Sequence, residues 1–185
     1  MTPAEFKALH SAKVMAIELS RGLVALVDDA DFAWLNEWKW FAVGGLRRAD
    51  GSRLFYAARQ VATPHGLRQF RMHNAILPCA PGFRPDHENG DGLDNRRCNL
   101  RPATPTESAR NRCAWGGLGL KGVTRRGARF RASIWIGGKP IALGSYATAS
   151  AAAAAYDEAA RTHFGSFARL NSGATPSDVA AEVRR

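Results

Sequence analysis

In "VMAIELSRGLVALV", two short apolar stretches flank a polar break at Ser20, Arg21 and Gly22, a pattern that predicts a small antiparallel hairpin. Asp28 or Asp29 can then cap a short helix carrying Phe32, Leu35 and Trp38. "WKWFAV" and "RLFYAARQV" read as a second pair of strands, with the polar "GGLRRADGS" as a long turn between them. The pattern places Trp34, Trp38 and Trp40 in the core of a β-rich unit over residues 14–62. Next, "LRQFRMHNAIL" predicts a strand running into a helix, and the three prolines and one glycine of "PCAPGFRP" end it.

The run "DHENGDGLDNRRCNLR" over residues 86–101 holds two strong turn dipeptides, Asn89-Gly90 and Asp91-Gly92. Asp86 and His87 belong on a strand before the loop. A short helix should follow from Thr104 or Thr106. "CAWGGLGL" reads as a glycine-rich linker, and beyond it the pattern changes. Residues 119–147 alternate apolar and polar positions in three short strands, with turns at Arg126-Gly127 and Gly137-Gly138. "TASAAAAAYDEAARTHFG" predicts a helix capped by Thr148 or Ser150 and stopped by Gly165. "ATPSDVAAEVRR" reads as a loosely attached tail.

Composition narrows the class. An apolar share of 45% is that of a folded soluble protein. The net charge of +10 points to a polyanion, nucleic acid ahead of an anionic membrane surface. Cys79, Cys98 and Cys113 form no C-x-x-C pair and leave an odd count, which argues against a disulfide framework and against structural zinc. Cys98 reads as a small buried side chain. A reducing cytosol fits, with no signal-peptide core in "MTPAEFKALHSAKV" and no apolar run long enough for a membrane helix.

Taken alone, an Asp-His pair beside turn dipeptides reads as a hairpin loop. The full order says more: an adjacent carboxylate and imidazole on a strand, a tight loop, Asn99 twelve residues after His87, then a helix. Neighbouring strand residues point to opposite faces, so the loop has to bring Asp86 and His87 toward one centre. The chemistry of that set is phosphodiester hydrolysis. Mg²⁺, or Mn²⁺ in its place, takes oxygen ligands and keeps waters, so Asp86, a second protein oxygen and a DNA phosphate would hold it. A neutral His87 would take the proton of the attacking water.

The run "DHENGDGLDNRRCNLRPAT" resembles the HNH endonucleases, in particular the homing type. The resemblance implies a ββα-metal unit over residues 63–113, with Asp86 as metal ligand, His87 as general base and Asn99 holding loop and base in place. "MHNAIL" matches a segment of these proteins in which His73 reads as structural. The family's second ligand, an Asn or His nine residues after Asn99, is Ser108 here, and Glu107 and Asn111 point elsewhere on the helix.

Residues 119–171 are similar to the plant ethylene-response-factor DNA-binding domain (apetala-two type). The similarity rests on Lys121-Gly122-Val123, the Phe130 to Trp135 strand, Leu143-Gly144, Ala154-Ala155-Tyr156-Asp157, Ala159-Ala160, Phe164-Gly165 and Leu170-Asn171. Alternation puts Phe130, Ala132, Ile134 and Ile136 against the helix, and Arg129, Arg131, Ser133 and Trp135 outside. Residues 119–147 carry six cations and no carboxylate. Arg125, Arg126, Arg129, Arg131, Ser133, Trp135 and Lys139 are therefore the candidate contacts to double-stranded DNA.

The expectation is an α+β chain: a small β-rich N-terminal unit (14–62), a ββα-metal HNH unit (63–113), a linker (114–118), a three-stranded antiparallel sheet packed on one helix (119–171), and a tail (172–185). It would be a divalent-metal-dependent endonuclease that nicks DNA, with no membrane partner and no small-molecule cofactor. By resemblance it would act in a bacterial or phage-infected cytoplasm, at the nucleoid. The alternative is a non-catalytic sequence-specific DNA-binding protein or regulator on a degenerate HNH fold, and Ser108 is the residue that favours it.

Overall fold

The structure, a computed structural model, describes residues 13–47, 51–114 and 118–172. Of the expected linker only Ala114 and Leu118 lie among them, and of the expected tail only Ser172. The architecture is α+β. Its contacts divide the chain into two compact units, the first from residues up to Leu46 and Arg53–Pro105, the second from Thr106 onward with the short 47–52 segment.

In the first unit, β1 (Val14–Glu18) and β2 (Val24–Asp28) form the expected hairpin through a 3₁₀ turn at Ser20–Gly22, where Arg21 takes a left-handed φ of 68°. Alternation sends Ile17 inward from β1, and Ala25 and Val27 inward from β2. Helix α1 (Asp29–Leu35) follows. Asp28 stands at its N-cap position but makes no cap, because its buried carboxylate accepts the Arg97 backbone N–H at 2.8 Å.

The tryptophan expectation needs correction. Trp40 is buried, its indole N–H donating to the Leu35 carbonyl at 2.8 Å, but Trp34 and Trp38 lie beyond the core, with Trp38 49% exposed. Helix α1 ends at Leu35, one turn too early to carry Trp38 inward.

Strands β3 (Phe41–Arg47), β4 (Arg53–Thr63) and β5 (Gly66–Arg71) form a second antiparallel sheet in that order. Gly44 and Gly45 lie inside β3, not in a turn. A Cβ on Gly44 would stand 2.9 Å from the Leu54 carbonyl, so the glycine lets the two backbones close up. The boundary expected at residue 62 falls within β4, whose partner β5 lies beyond it.

Helix α2 (Met72–Ile76) delivers Met72 and Ile76 to the core. β6 (Arg84–His87) and β7 (Leu100–Ala103) then pair antiparallel, with His87 opposite Leu100 and Asp86 opposite Arg101. Helix α3 (Pro105–Arg110) follows β7. Proline suits a first helical turn, where its missing N–H has no partner to lose.

Gly92 in the β6–β7 loop has a role that turn chemistry does not suggest. A Cβ there would run into the Phe55 carbonyl oxygen and the Tyr56 ring of β4. Gly92→Ala should destabilise this unit by about 1–3 kcal/mol, the cost of overpacking, and urea unfolding of the two proteins side by side checks it. An unchanged unfolding midpoint would mean the loop does not seat on β4.

The second unit is the expected sheet on one helix: β8 (Val123–Arg126), β9 (Arg129–Ile136) and β10 (Lys139–Tyr146), in the order β10-β9-β8, packed on α4 (Ala149–Phe164). Gly137 and Gly138 both take positive φ, 58° and 78°, the requirement of a two-residue hairpin loop that follows the strand twist. Thr148 caps α4, its side chain accepting the Ala151 N–H at 3.2 Å, and Gly165 ends it. Ala152, Ala153, Tyr156, Ala160 and Phe164 of α4 meet Val123, Ala132 and Ile134 of the sheet. The buried Asp157 carboxylate accepts the backbone N–H groups of Asn171 (2.7 Å) and Ser172 (2.9 Å), fastening the segment after the helix back onto it.

Candidate functional site

The loop from Glu88 to Asn99 is rich in Asn, Asp and Gly, residues whose side chains stand in for backbone partners in turns. Here nearly every one does. Asn99 accepts the Asn89 N–H at 2.9 Å through its Oδ1, while its Nδ2 donates to the Asp94 carbonyl at 2.7 Å. Asn89 returns the tie, its Nδ2 donating to the Asp94 carboxylate at 2.8 Å and its Oδ1 accepting the Asp91 N–H at 2.8 Å. Arg96 grips Asp94 with two nitrogens, each at 2.7 Å. Asn99 is thus buried and cross-links the loop at both ends.

The loop is also held from outside. The Leu26 N–H donates to the Leu93 carbonyl and the Asn95 N–H to the Leu26 carbonyl, each at 2.8 Å, which adds a short parallel bridge to β2. Arg97 forms a fork on Asp31 of α1, at 2.6 and 2.7 Å. Paired bonds of this charged kind are about twice as strong as neutral ones.

His87 is buried at the end of β6. Its Nε2 lies 3.3 Å from the Asn95 Oδ1, and the Asn95 Nδ2 donates to the Leu93 carbonyl at 3.2 Å, which sets the direction of the amide. An amide oxygen only accepts, so Nε2 carries the proton and the ring lone pair is on Nδ1. Burial pushes the His87 pKa down, against an upward pull from the Asn95 bond and from Asp91, Asp86 and Asp94. A neutral imidazole with a fixed tautomer is what a general base requires.

Two further rings close around His87. His73 of α2 sits edge-on to it, centroids 5.0 Å apart, and Tyr56 of β4 lies 5.8 Å from both. Arg71 stacks on the far-reaching Tyr56 ring at 4.4 Å. His73 is buried, its Nδ1 has no hydrogen-bond partner among the described residues, and its pKa is pushed down to about 3 by burial, then by His87 and Arg71. Two buried imidazoles, both pushed toward the neutral form, therefore pack against each other.

The expectation that the loop brings Asp86 and His87 toward one centre needs correction, because Asp86 belongs to a different neighbourhood. Its buried carboxylate accepts from Arg101 Nε at 3.2 Å, and Arg101 also reaches Glu88 at 3.9 Å. Asp86 and Glu88, two residues apart, share the Arg101 side, while His87 faces Tyr56 and His73. Ser108 is half-buried on α3, which from Thr106 onward belongs to the second unit, so the unit expected over 63–113 ends at Pro105; in the second unit Lys121 donates to the Arg110 carbonyl and Arg110 stacks on Phe164 at 4.6 Å. Among the described residues, no group of three or more His, Cys, Asp or Glu side chains is placed to hold a metal ion.

On the second unit, burial along β9 follows the expected alternation, with Ala132 and Ile134 inside, Arg129 and Arg131 outside, and Trp135 65% exposed. Arg125, Arg126 and Lys139 are exposed too, and Ser133 is half-buried. Arg129 is already engaged, donating to the Ser145 carbonyl at 2.7 Å and its hydroxyl at 3.1 Å, and Arg125 donates to the Gly127 carbonyl at 3.2 Å. Cys98, expected buried, is only partly so.

Sequence reasoning missed Tyr56 and Asn95, gave His73 no part in the site, and did not pair Arg97 with Asp31. An imidazole next to the buried Met72 in a short helix was the signal for His73; the others depend on contacts far apart in sequence. No helix among the described residues is long and apolar enough to cross a membrane. No protein-family model matches the chain, nor does any curated protein.

Proposed function

We propose that the chain is a metal-dependent DNA endonuclease of the HNH type, in which the first unit cuts or nicks and the second unit grips double-stranded DNA. The carrying observation is His87, buried on a β-hairpin with its tautomer set by Asn95, in a loop that Asn99 locks at both ends. Support for the second unit's role is a sheet face of exposed Arg126, Arg131 and Trp135, whose guanidinium groups suit guanine edges or phosphates, with exposed Lys139 at the β9–β10 turn.

Asp86 and Glu88 supply carboxylate oxygens of the kind a hard divalent cation takes. Asp86 and Glu88 surround one guanidinium, that of Arg101, and leave a net negative charge where a cation would be drawn. Mg²⁺ or Mn²⁺ needs only one or two carboxylates besides waters and phosphate. Asp86 would hold it, while Ser108, the second protein oxygen expected from the sequence, falls in the second unit. When bound, the cation neutralises charge on the phosphate and the leaving oxygen.

The chain's own groups do the rest. Asn95 keeps the proton on Nε2, so His87 takes the proton of the attacking water at Nδ1. Tyr56 and His73 exclude bulk water from the imidazole and keep it neutral. Asn99 holds the loop so that the geometry exists before DNA arrives, which removes an ordering cost from the reaction.

A second reading is favoured by one observation, the lack of a three-residue donor group among the described residues. On that reading the protein binds DNA and does not cut it. Incubating the purified full chain with supercoiled plasmid and Mg²⁺ or Mn²⁺ separates them. Open-circular product that disappears with EDTA supports the endonuclease. Intact plasmid that is still shifted in a gel leaves only the DNA-binding protein.

A further inference from the structure

The exposed Trp38 is not used by anything above. It forms one wall of a groove of about 950 Å³ in the first unit, between β1, the turn after α1 and the start of β3, with Arg59 and Gln60 of β4 also lining it. Arg59 holds the ring in place, its guanidinium carbon 3.9 Å from the Trp38 centroid. The same guanidinium lies 5.8 Å from the Trp40 centroid and 5.7 Å from that of Phe70, so one cation sits among three aromatic rings. We propose that this groove binds an unpaired nucleotide of a DNA strand, the base stacking on Trp38 and the phosphate drawn by Lys39 and Arg59.

Three features favour that occupant. First, a half-exposed indole is costly to leave in water, and every base offers a flat face to cover it, whatever its sequence. Second, the lining brings two cations, Lys39 and Arg59, against one carboxylate, Glu18, in a chain of net charge +10. That balance suits a phosphate and disfavours a basic or plain apolar peptide. Third, the stacked guanidinium fixes the indole beforehand, so less side-chain freedom is lost on binding. Asn36 and Gln60 at the edge add amide donors and acceptors for a base. The proposal goes beyond the duplex contacts assigned to the second unit and does not depend on hydrolysis at His87.

Binding of a fluorescein-labelled oligothymidylate to the full chain, in EDTA so that no strand is cut, tests it. Trp38→Ala should weaken that binding by about 5- to 100-fold, the usual worth of one base stack, and Trp38→Phe should recover part of it. Affinity for a duplex of equal length should change less than twofold, as roughly expected when a base stack absent from duplex binding is removed. Lys39→Ala, at an exposed position away from the core, should lower the slope of log affinity against log salt by about 0.7, one phosphate contact to a single strand. This second variant keeps the test decisive should Trp38→Ala fail to fold. Oligothymidylate affinity indifferent to both the Trp38 and the Lys39 substitutions overturns the proposal and leaves the groove to a peptide or a second copy of the chain. Loss of nicking in the plasmid experiment leaves this result untouched, because the readout here is binding without turnover.

Discussion

Replacing His87 with alanine should slow plasmid nicking by about 10²- to 10⁴-fold while the DNA shift in a gel stays at its original protein concentration. The size follows from what the residue does in the proposed reaction. Water at neutral pH is a poor nucleophile, and a positioned base that takes its proton in the transition state accounts for a factor of this order. On the proposed reading DNA affinity rests on the exposed cations of the sheet unit, so binding and cutting should separate. His87→Asn, which keeps a polar group against Asn95, guards against a trivial loss of fold and should be as slow as the alanine variant. A His87→Ala protein that nicks at the original rate would sink the assignment of the base, whatever the metal does.

A drop from pH 7 to pH 5 should destabilise the first unit by about 2 kcal/mol through His73 alone, with a further loss in the same direction through His87. Burial pushes the His73 pKa down to about 3, whereas an unfolded chain holds histidine near its ordinary value of 6.5. Between those values the unfolded state binds a proton that the folded state refuses. Stability is therefore complete above about pH 6.5 and falls as pH decreases toward 3, by about 1.4 kcal/mol per unit for each such histidine.

The window from 6.5 to 5 lies above the usual carboxylate range, so Asp and Glu contribute little to it. Both buried histidines among the described residues are in the first unit, which should unfold ahead of the second as pH falls. Urea unfolding at pH 7, 6 and 5, repeated with His73→Gln, measures it: the substitution should flatten the slope by about one histidine's worth. Equal slopes in the two proteins would show that burial does not suppress protonation of His73.

Features read correctly from the sequence are those settled within a few residues. The β1–β2 hairpin, the Gly137-Gly138 turn, the Thr148 cap and the alternation along β9 each follow from neighbours on the chain, and each is present. The Asp86-His87 pair was placed on its strand, and Asn99 in its loop, for the same reason. What failed was set by partners far away. Trp38 looked like core because the apolar spacing continued past Leu35, but the helix stops there and Arg59, from another strand, stacks on the half-exposed ring instead. Gly92 looked like a turn residue, and its tighter constraint comes from the backbone of β4. Asp28 looked like a cap, while its carboxylate serves Arg97, 69 positions on. No periodicity announces a pairing of that kind, because periodicity reports only which side of an element faces inward.

That same long-range tie bears on how such a unit could be moved between proteins. The bonds from Arg97 to Asp28 and Asp31 and the bridge from Leu26 to Asp94 run from the Glu88–Asn99 loop to the first hairpin and its helix. A short cassette cut around the β6–β7 hairpin would leave these anchors behind and carry away a loop with its outer supports missing. Grafting the site onto a new scaffold, or recombining it in evolution, would succeed only when β2 and α1 travel with it.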